Sequence, residues 1–289
     1  MSRPYRKGLI VFGGLILIAL VVAFGRSVDW SAAWLAIRRA DRGVLALALT
    51  ANLISLGLKA VRWWVLLAPA GVRSLSLVVR ATFAGASLNN LVVAQGGEAA
   101  RALMVSRTAH VPLRRVAAML VLERALDLMS YLVLFAVATW LLPLPPMLMR
   151  WRTPASATLA IALLALLIFA SRSHRTTTSP GRLATALFLS LGAWALQVVT
   201  YHLVAIAAHL AMPLAGSIAA QLAVGVSFLI RATPGNLGVF QVVYALTAHS
   251  FGIAESSAVA VALLIQMVQV LPVLFIGMLI APSLLRSGR

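Results

Sequence analysis

The chain contains no cysteine in its 289 residues. That excludes disulfides, thiolate nucleophiles, cysteine-bound zinc and iron–sulfur clusters, and it leaves the redox compartment unreadable. Acidic residues are almost as scarce, with 6 Asp and Glu against 24 Lys and Arg. Lysine is nearly missing too: only Lys7 and Lys59 occur, and every other basic residue is arginine. Charged residues make up 10% of the chain, whereas a soluble domain carries about 25%. With so few polar groups, an ordinary cytosolic domain, a disordered chain and a secreted module are all excluded.

What fills the sequence instead is apolar: 62% of residues are hydrophobic, well above the roughly 45–50% of soluble domains. The fold class expected is an all-α polytopic membrane protein, one integral domain spanning 1–289. The formal net charge is +18. In a soluble protein that balance points to nucleic acid. Here the arginines fall between apolar runs, so they read as topology and flank-anchoring charges, with attraction to anionic head groups second. No nucleic acid partner is expected.

Apolar stretches occupy 9–24, 44–68, 74–94, 116–142, 155–171, 184–210, 214–230 and 256–282. A bilayer core needs about 20 helical residues. Residues 9–24 follow Arg3, Arg6 and Lys7. They read as an uncleaved signal anchor, because Ala23-Phe24-Gly25 is a weak cleavage site. Two regions are interrupted: 74–108 at Ala94-Gln95-Gly96-Gly97, and 214–250 at Pro234-Gly235-Asn236-Leu237-Gly238. Irregular backbone at membrane depth must be sheltered or line a cavity. Each region is therefore expected to be a re-entrant helical hairpin, alongside six full transmembrane helices. That topology puts Arg73, Arg80, Arg107, Arg114, Arg115, Arg172, Arg175, Arg182 and the basic termini on one side. The positive-inside rule makes it the cytoplasmic side of a bacterial or archaeal cytoplasmic membrane, with both termini there. The loop 25–43, with Arg26, Arg38, Arg39 and Arg42, runs against the rule.

The order of elements occurs twice, in halves of about 44–142 and 184–282, at an offset of about 140 residues. Spans 44–68 and 184–210 would cross in opposite directions, so the halves are expected to form an inverted repeat, a transporter arrangement.

Three places concentrate chemistry. At Gln95-Gly96-Gly97-Glu98-Ala99-Ala100-Arg101 the glycines permit close backbone approach. The helix that follows presents free N–H groups and a positive dipole end, which can bind an anion. Glu98 and Arg101 share a helix face, and this pairing alone would also account for both. Asn89 and Asn90 precede the break. Glu123-Arg124-Ala125-Leu126-Asp127 puts three charges inside an apolar span, each worth about 2.5–3.5 kcal/mol of insertion penalty. Glu123 and Asp127 lie on one face, and Arg124 can pair with Asp127. A structural charge network and a substrate or proton pathway both fit. Arg231, Pro234, Gly235, Gly238 and Gln241 surround the second break, which again presents a helix N-terminus. Asn52, Lys59, Arg62, Gln197, His202, Gln221, Gln266 and Gln269 read as interhelical hydrogen bonds or snorkelling side chains. Trp63 and Trp64 read as interface anchors. The histidines show no metal spacing, and neither a metal nor a cofactor is expected.

These motifs are familiar together. Phe83-Ala84-Gly85, Asn89-Asn90 and Gly97-Glu98-Ala99-Ala100-Arg101-Ala102 resemble the first signature of the lysylphosphatidylglycerol synthase transmembrane-region family, described as flippase-like. Glu123-Arg124-Ala125-Leu126-Asp127 resembles its Glu-Arg-x-x-Asp signature, and Pro234-Gly235-Asn236-Leu237-Gly238 its Pro-Gly-x-x-Gly motif. The resemblance runs from about 9 to 282. Ala94-Gln95 stands where the family has Pro-Gly, and Gln241 where it carries Glu. The aminoacyl-transferase domain of some members is not within these residues. The resemblance implies movement of a lipid or lipid-linked head group between leaflets.

The expected function is therefore a lipid flippase with a midplane polar cavity, not an enzyme. Arg101, Arg231 and the two helix ends would hold a phosphate, Arg124 contributing and Glu98, Glu123 and Asp127 tuning the charge. The alternative is a non-transporting accessory protein that binds a lipid or a partner lipid-modifying enzyme. A membrane-embedded transferase is the third reading.

Overall fold

The structure, a computed structural model, describes residues 30–91, 96–172, 179–228 and 236–286. The anchor expected over 9–24 lies outside them, as do Gln95, Arg231, Pro234 and Gly235. All regular structure among the described residues is helical. Helix α1 spans Trp30–Arg39 and α2 spans Arg42–Leu67, ending in a 3₁₀ turn over Ala68–Ala70. Then come α3 Leu75–Leu91, α4 Gly96–Thr108, α5 Leu113–Leu141, α6 Pro146–Met149 and α7 Arg152–Arg172. The chain continues with α8 Pro180–Ala207, α9 Leu214–Ser227, α10 Val239–His249 and α11 Glu255–Arg286. Arg42–Ala70, Pro180–Ala207 and Glu255–Ile280 are long and apolar enough to cross a membrane, and α9 and α10 are shorter apolar helices. The protein is an integral membrane protein.

The helix limits follow the apolar runs closely. The difference is α1, inside what reads in sequence as the loop 25–43. Trp30, Trp34 and Leu35 are exposed on it. Arg38 and Arg39 occupy its last turn, where cations complement the helix dipole. The Arg38 guanidinium lies 5.0 Å from the Trp34 ring centroid. Ten residues with a charged end make a surface amphipathic helix, and no long apolar run announces it. Asp41 then caps α2, its carboxylate accepting from the Gly43 and Val44 N–H groups at 2.8 and 3.0 Å.

Four connections share one ending. Gly71, His110, His209 and Gly252 have φ of 105°, 54°, 54° and 78°. Each is followed by a 6→1 hydrogen bond: Val72 to Leu67, Val111 to Ser106, Leu210 to Ala205 and Ile253 to Ala248. This is the left-handed helix stop, and Val111 and Ile253 bury the apolar residue that accompanies it. The first and third stops, and the second and fourth, are separated by nearly the same length of chain.

The packing has the same doubling. Helices α2 and α8 pack together at the centre, joined by Ser55 Oγ donating to the Ala193 carbonyl at 2.8 Å. Around them, α2–α3 is matched by α8–α9, α3–α4 by α9–α10, and α4–α5 by α10–α11. Likewise α2–α5 is matched by α8–α11, α2–α11 by α8–α5, and α3–α11 by α9–α5.

Two glycines set the closest approaches. A Cβ on Gly97 would lie 1.9 Å from the Gly85 carbonyl oxygen, so α3 and α4 meet backbone to backbone. A Cβ on Gly225 would lie 1.2 Å from the Tyr131 hydroxyl, which sits against α9. Gly97→Ala should therefore lower the stability of the detergent-purified protein by about 1–3 kcal/mol through overpacking. Gly57→Ala, with nothing within 4 Å, should leave it unchanged or raise it by about 0.5–1 kcal/mol. Thermal melting monitored by size exclusion distinguishes the two.

Candidate functional site: an arginine–carboxylate ring beside a polar cavity

Helices α2, α3, α4, α5, α8, α9 and α11 enclose a cavity of about 620 Å³. Small-molecule sites fall in the range of about 300–1,000 Å³. One wall is charged, carrying Lys59, Arg62, Glu98, Arg101, Glu123, Arg124 and Asp127. The rest of the lining is uncharged and includes Asn52, Gln197, Gln269, Gln221, Tyr201 and Phe228.

Six of the charges form a closed ring. Arg62 Nη1 reaches Asp127 Oδ1 at 2.5 Å and its Nη2 reaches Glu123 Oε1 at 2.7 Å. Arg101 Nη2 bridges Glu123 Oε2 at 2.7 Å and Glu98 Oε2 at 2.6 Å. Arg124 completes the circuit, Nη2 to Glu98 Oε1 at 2.8 Å and Nη1 to Asp127 Oδ2 at 3.3 Å. Each cation touches two anions and each anion two cations. The ring is sealed along one arc and open along another: the Arg62 side chain is 0% exposed, the Arg124 side chain 55%.

Neighbouring helices hold the ring in place. The Ser190 hydroxyl on α8 accepts from Arg62 Nη1, and Trp194 Nε1 donates to Asp127 Oδ1 at 3.1 Å. Asn89 on α3 reaches Glu98 Oε1 at 3.4 Å and accepts from the Gly97 N–H at 2.9 Å. The second N–H of the short helix α4, one of its free first-turn donors, is thus capped from α3. The Arg101 guanidinium stacks 4.4 Å from the Trp63 ring centroid, a cation–π contact.

Most of the residues singled out around the first break converge here. Asn89, Asn90, Glu98, Arg101, Glu123, Arg124 and Asp127 all border the cavity. Gly97 is buried at the α3–α4 crossing, while Gly96 is exposed at the start of α4. Around the second break, the described residues Gly238 and Gln241 lie elsewhere. Gly238, with φ 85°, caps α10. Gln241 Oε1 accepts from the Gly238 N–H at 2.7 Å, and Gln241 Nε2 donates to Gln266. Neither Gly238 nor Gln241 lines the cavity.

Of the two readings open for Arg62, the interhelical hydrogen bond holds and snorkelling does not: it is fully buried, with Asp127, Ser190 and Glu123 as partners. One sequence reading is corrected. Trp63 is not an interface anchor, for it is fully buried beneath Arg101. Charge matching could have found Arg62: three acids in apolar helices call for three cations, and Arg101 and Arg124 supply two. The interhelical reading of Gln197, His202 and Gln269 holds. Gln197 Nε2 donates to Asn52 Oδ1 at 3.1 Å, Gln269 Nε2 to Gln197 Oε1 at 2.7 Å, and His202 Nδ1 lies 3.1 Å from Ser217 Oγ.

A helical membrane protein with a charge-lined internal cavity is the class these features define. The family model for the lysylphosphatidylglycerol synthase TM region matches residues 10–277, and the chain belongs to that family. No curated protein matches it. The family ties the protein to membrane lipids.

Breaking one member of a buried ion-pair network leaves its partners uncompensated, at about 3–5 kcal/mol. Glu123→Gln, which strips one carboxylate from both Arg62 and Arg101, should destabilise by that order. Arg124→Gln, at the open arc, should change stability by less than about 1 kcal/mol. Unfolding in mixed micelles by increasing SDS fraction measures both.

Proposed function

We propose that the chain is a lipid flippase or lipid-linked head-group transporter that moves an anionic or glycosylated lipid between membrane leaflets through this cavity. The observation that carries the reading is the position of the cavity between two sets of helices whose packing partners correspond pair by pair. In transporters built from inverted repeats, the substrate site lies at the repeat interface near the bilayer midplane, and rocking of one repeat against the other exposes it alternately. On this reading six helices span fully, and the α3–α4 and α9–α10 pairs are hairpins entering from opposite faces. Asn90, Arg124 and the rest of its ring meet the head group. The competing reading is a lipid-binding accessory protein with no transport of its own.

Blocking the cavity tests transport directly. Ala86 lines it on α3. Ala86→Trp should reduce translocation of acyl-chain-labelled lipid in proteoliposomes at least about tenfold, the loss of roughly 1.4 kcal/mol, with the helical content unchanged. Wild-type vesicles that move no labelled phospholipid or glycolipid would instead favour the accessory reading.

The topology is separately testable, because a cysteine-free chain permits single-cysteine labelling. With opposed hairpins, His110→Cys should be protected from an impermeant maleimide in intact cells and Ser250→Cys should react. Equal reactivity of the two would remove the inverted arrangement.

A further inference from the structure

The ring accounts for six of the seven charged side chains on the cavity wall, and it is neutral. Lys59 is the seventh. It projects from α2 one turn before Arg62, and among the described residues no carboxylate reaches it at ion-pair distance. Its ammonium instead lies 4.5 Å from the centroid of the Trp194 ring. Trp194 is locked in that position by Asp127 and by the edge of Tyr131, whose ring centroid is 4.3 Å away. A cation–π contact supplies about 0.5–2 kcal/mol, less than the insertion penalty of about 2.5–3.5 kcal/mol for a lysine at helix centre. The cavity thus holds one cation that, among the described residues, has no ion-pair partner of its own.

A second group in the lining also lacks a partner. Gln221 on α9 is 3% exposed and borders the cavity, yet its Oε1 has no hydrogen-bond partner. The Tyr131 hydroxyl takes only its main-chain carbonyl, at 3.4 Å. A buried acceptor left unpaired is destabilising by about 1–3 kcal/mol unless a donor arrives.

We infer that Lys59 and Gln221 are the head-group contacts that set specificity. The ligand brings one negative charge to Lys59 and one hydroxyl or amine donor to Gln221, and the ring beside them forms the charged part of the lining. This rests on the cavity being a lipid site, and it narrows the substrate to lipids with a singly charged phosphodiester and a donor-bearing head group. A phosphate buried on Lys59 makes the occupied site neutral.

The test is lipid retention by the full-length protein. Protein in mixed micelles of phosphatidylglycerol, phosphatidylcholine and a neutral monoglucosyl diacylglycerol is washed, and the retained lipids are quantified by mass spectrometry. Phosphatidylglycerol, with both charge and hydroxyl donors, should be enriched over the other two. Lys59→Gln should lower that enrichment about tenfold, as loss of a charge-assisted contact implies, and Lys59→Arg should retain it. Gln221→Leu should bring phosphatidylglycerol towards phosphatidylcholine, which has the phosphate but no donor. Unchanged enrichment in Lys59→Gln overturns the assignment. So does preference for the neutral glycolipid in the wild type, or retention of inorganic phosphate with no lipid preference. Translocation is assayed in parallel on the same proteins: enrichment that follows this pattern without translocation retires the transport reading and leaves the head-group contacts standing.

Discussion

Charge pairing in a chain nearly devoid of acid is the constraint around which this molecule is arranged. The protein has six carboxylate side chains, and Glu98, Glu123 and Asp127 are all committed to three arginines. A linear chain of such pairs would end in a half-satisfied ion, whereas a ring has no end. That matters because a buried ion pair is at best weakly favourable, while an unpartnered buried ion is strongly unfavourable. Arg62 comes from α2, Glu98 and Arg101 from α4, and the other three from α5. The ring therefore fixes the relative register of three helices. Apolar packing alone specifies such register weakly, since it tolerates many similar arrangements.

The two sets of helices trace corresponding paths but carry different chemistry. Where the first set buries the ring, the second buries aromatic rings and amides. Tyr201 lies 6.1 Å from Phe240 and 6.2 Å from Tyr244, centroid to centroid, and Gln241 pairs with Gln266. The cavity lining consequently combines charged groups with amides. The two kinds of group can grip different parts of one head group, and Gly225 lets α9 stand close against Tyr131 of α5.

Helix positions were legible in the sequence because the membrane demands long apolar runs, and the limits of α2, α5, α8 and α11 fall within a few residues of those runs. The first break and the Glu-Arg-x-x-Asp segment were legible because charge inside an apolar helix is expensive and therefore meaningful. Three features were hidden. Helix α1 is short and polar at one end. Trp63 sits near the end of an apolar run, where tryptophan ordinarily marks the membrane surface; only tertiary packing reveals that it turns inward. The idle state of Gln221 depends on what its neighbours fail to offer, and spacing along one chain carries no such information.

The ring also bears on how the chain is made. All six of its members lie between residues 62 and 127, ahead of α8, which adds only Ser190 and Trp194 to the cluster. Domains generally fold as units from the N-terminal side during synthesis. The charges of α5 can thus be neutralised as soon as that helix leaves the insertion machinery, before any later span exists. The second half then docks against a surface on which Lys59 is the charge still to be covered, and α8 brings the Trp194 ring to it.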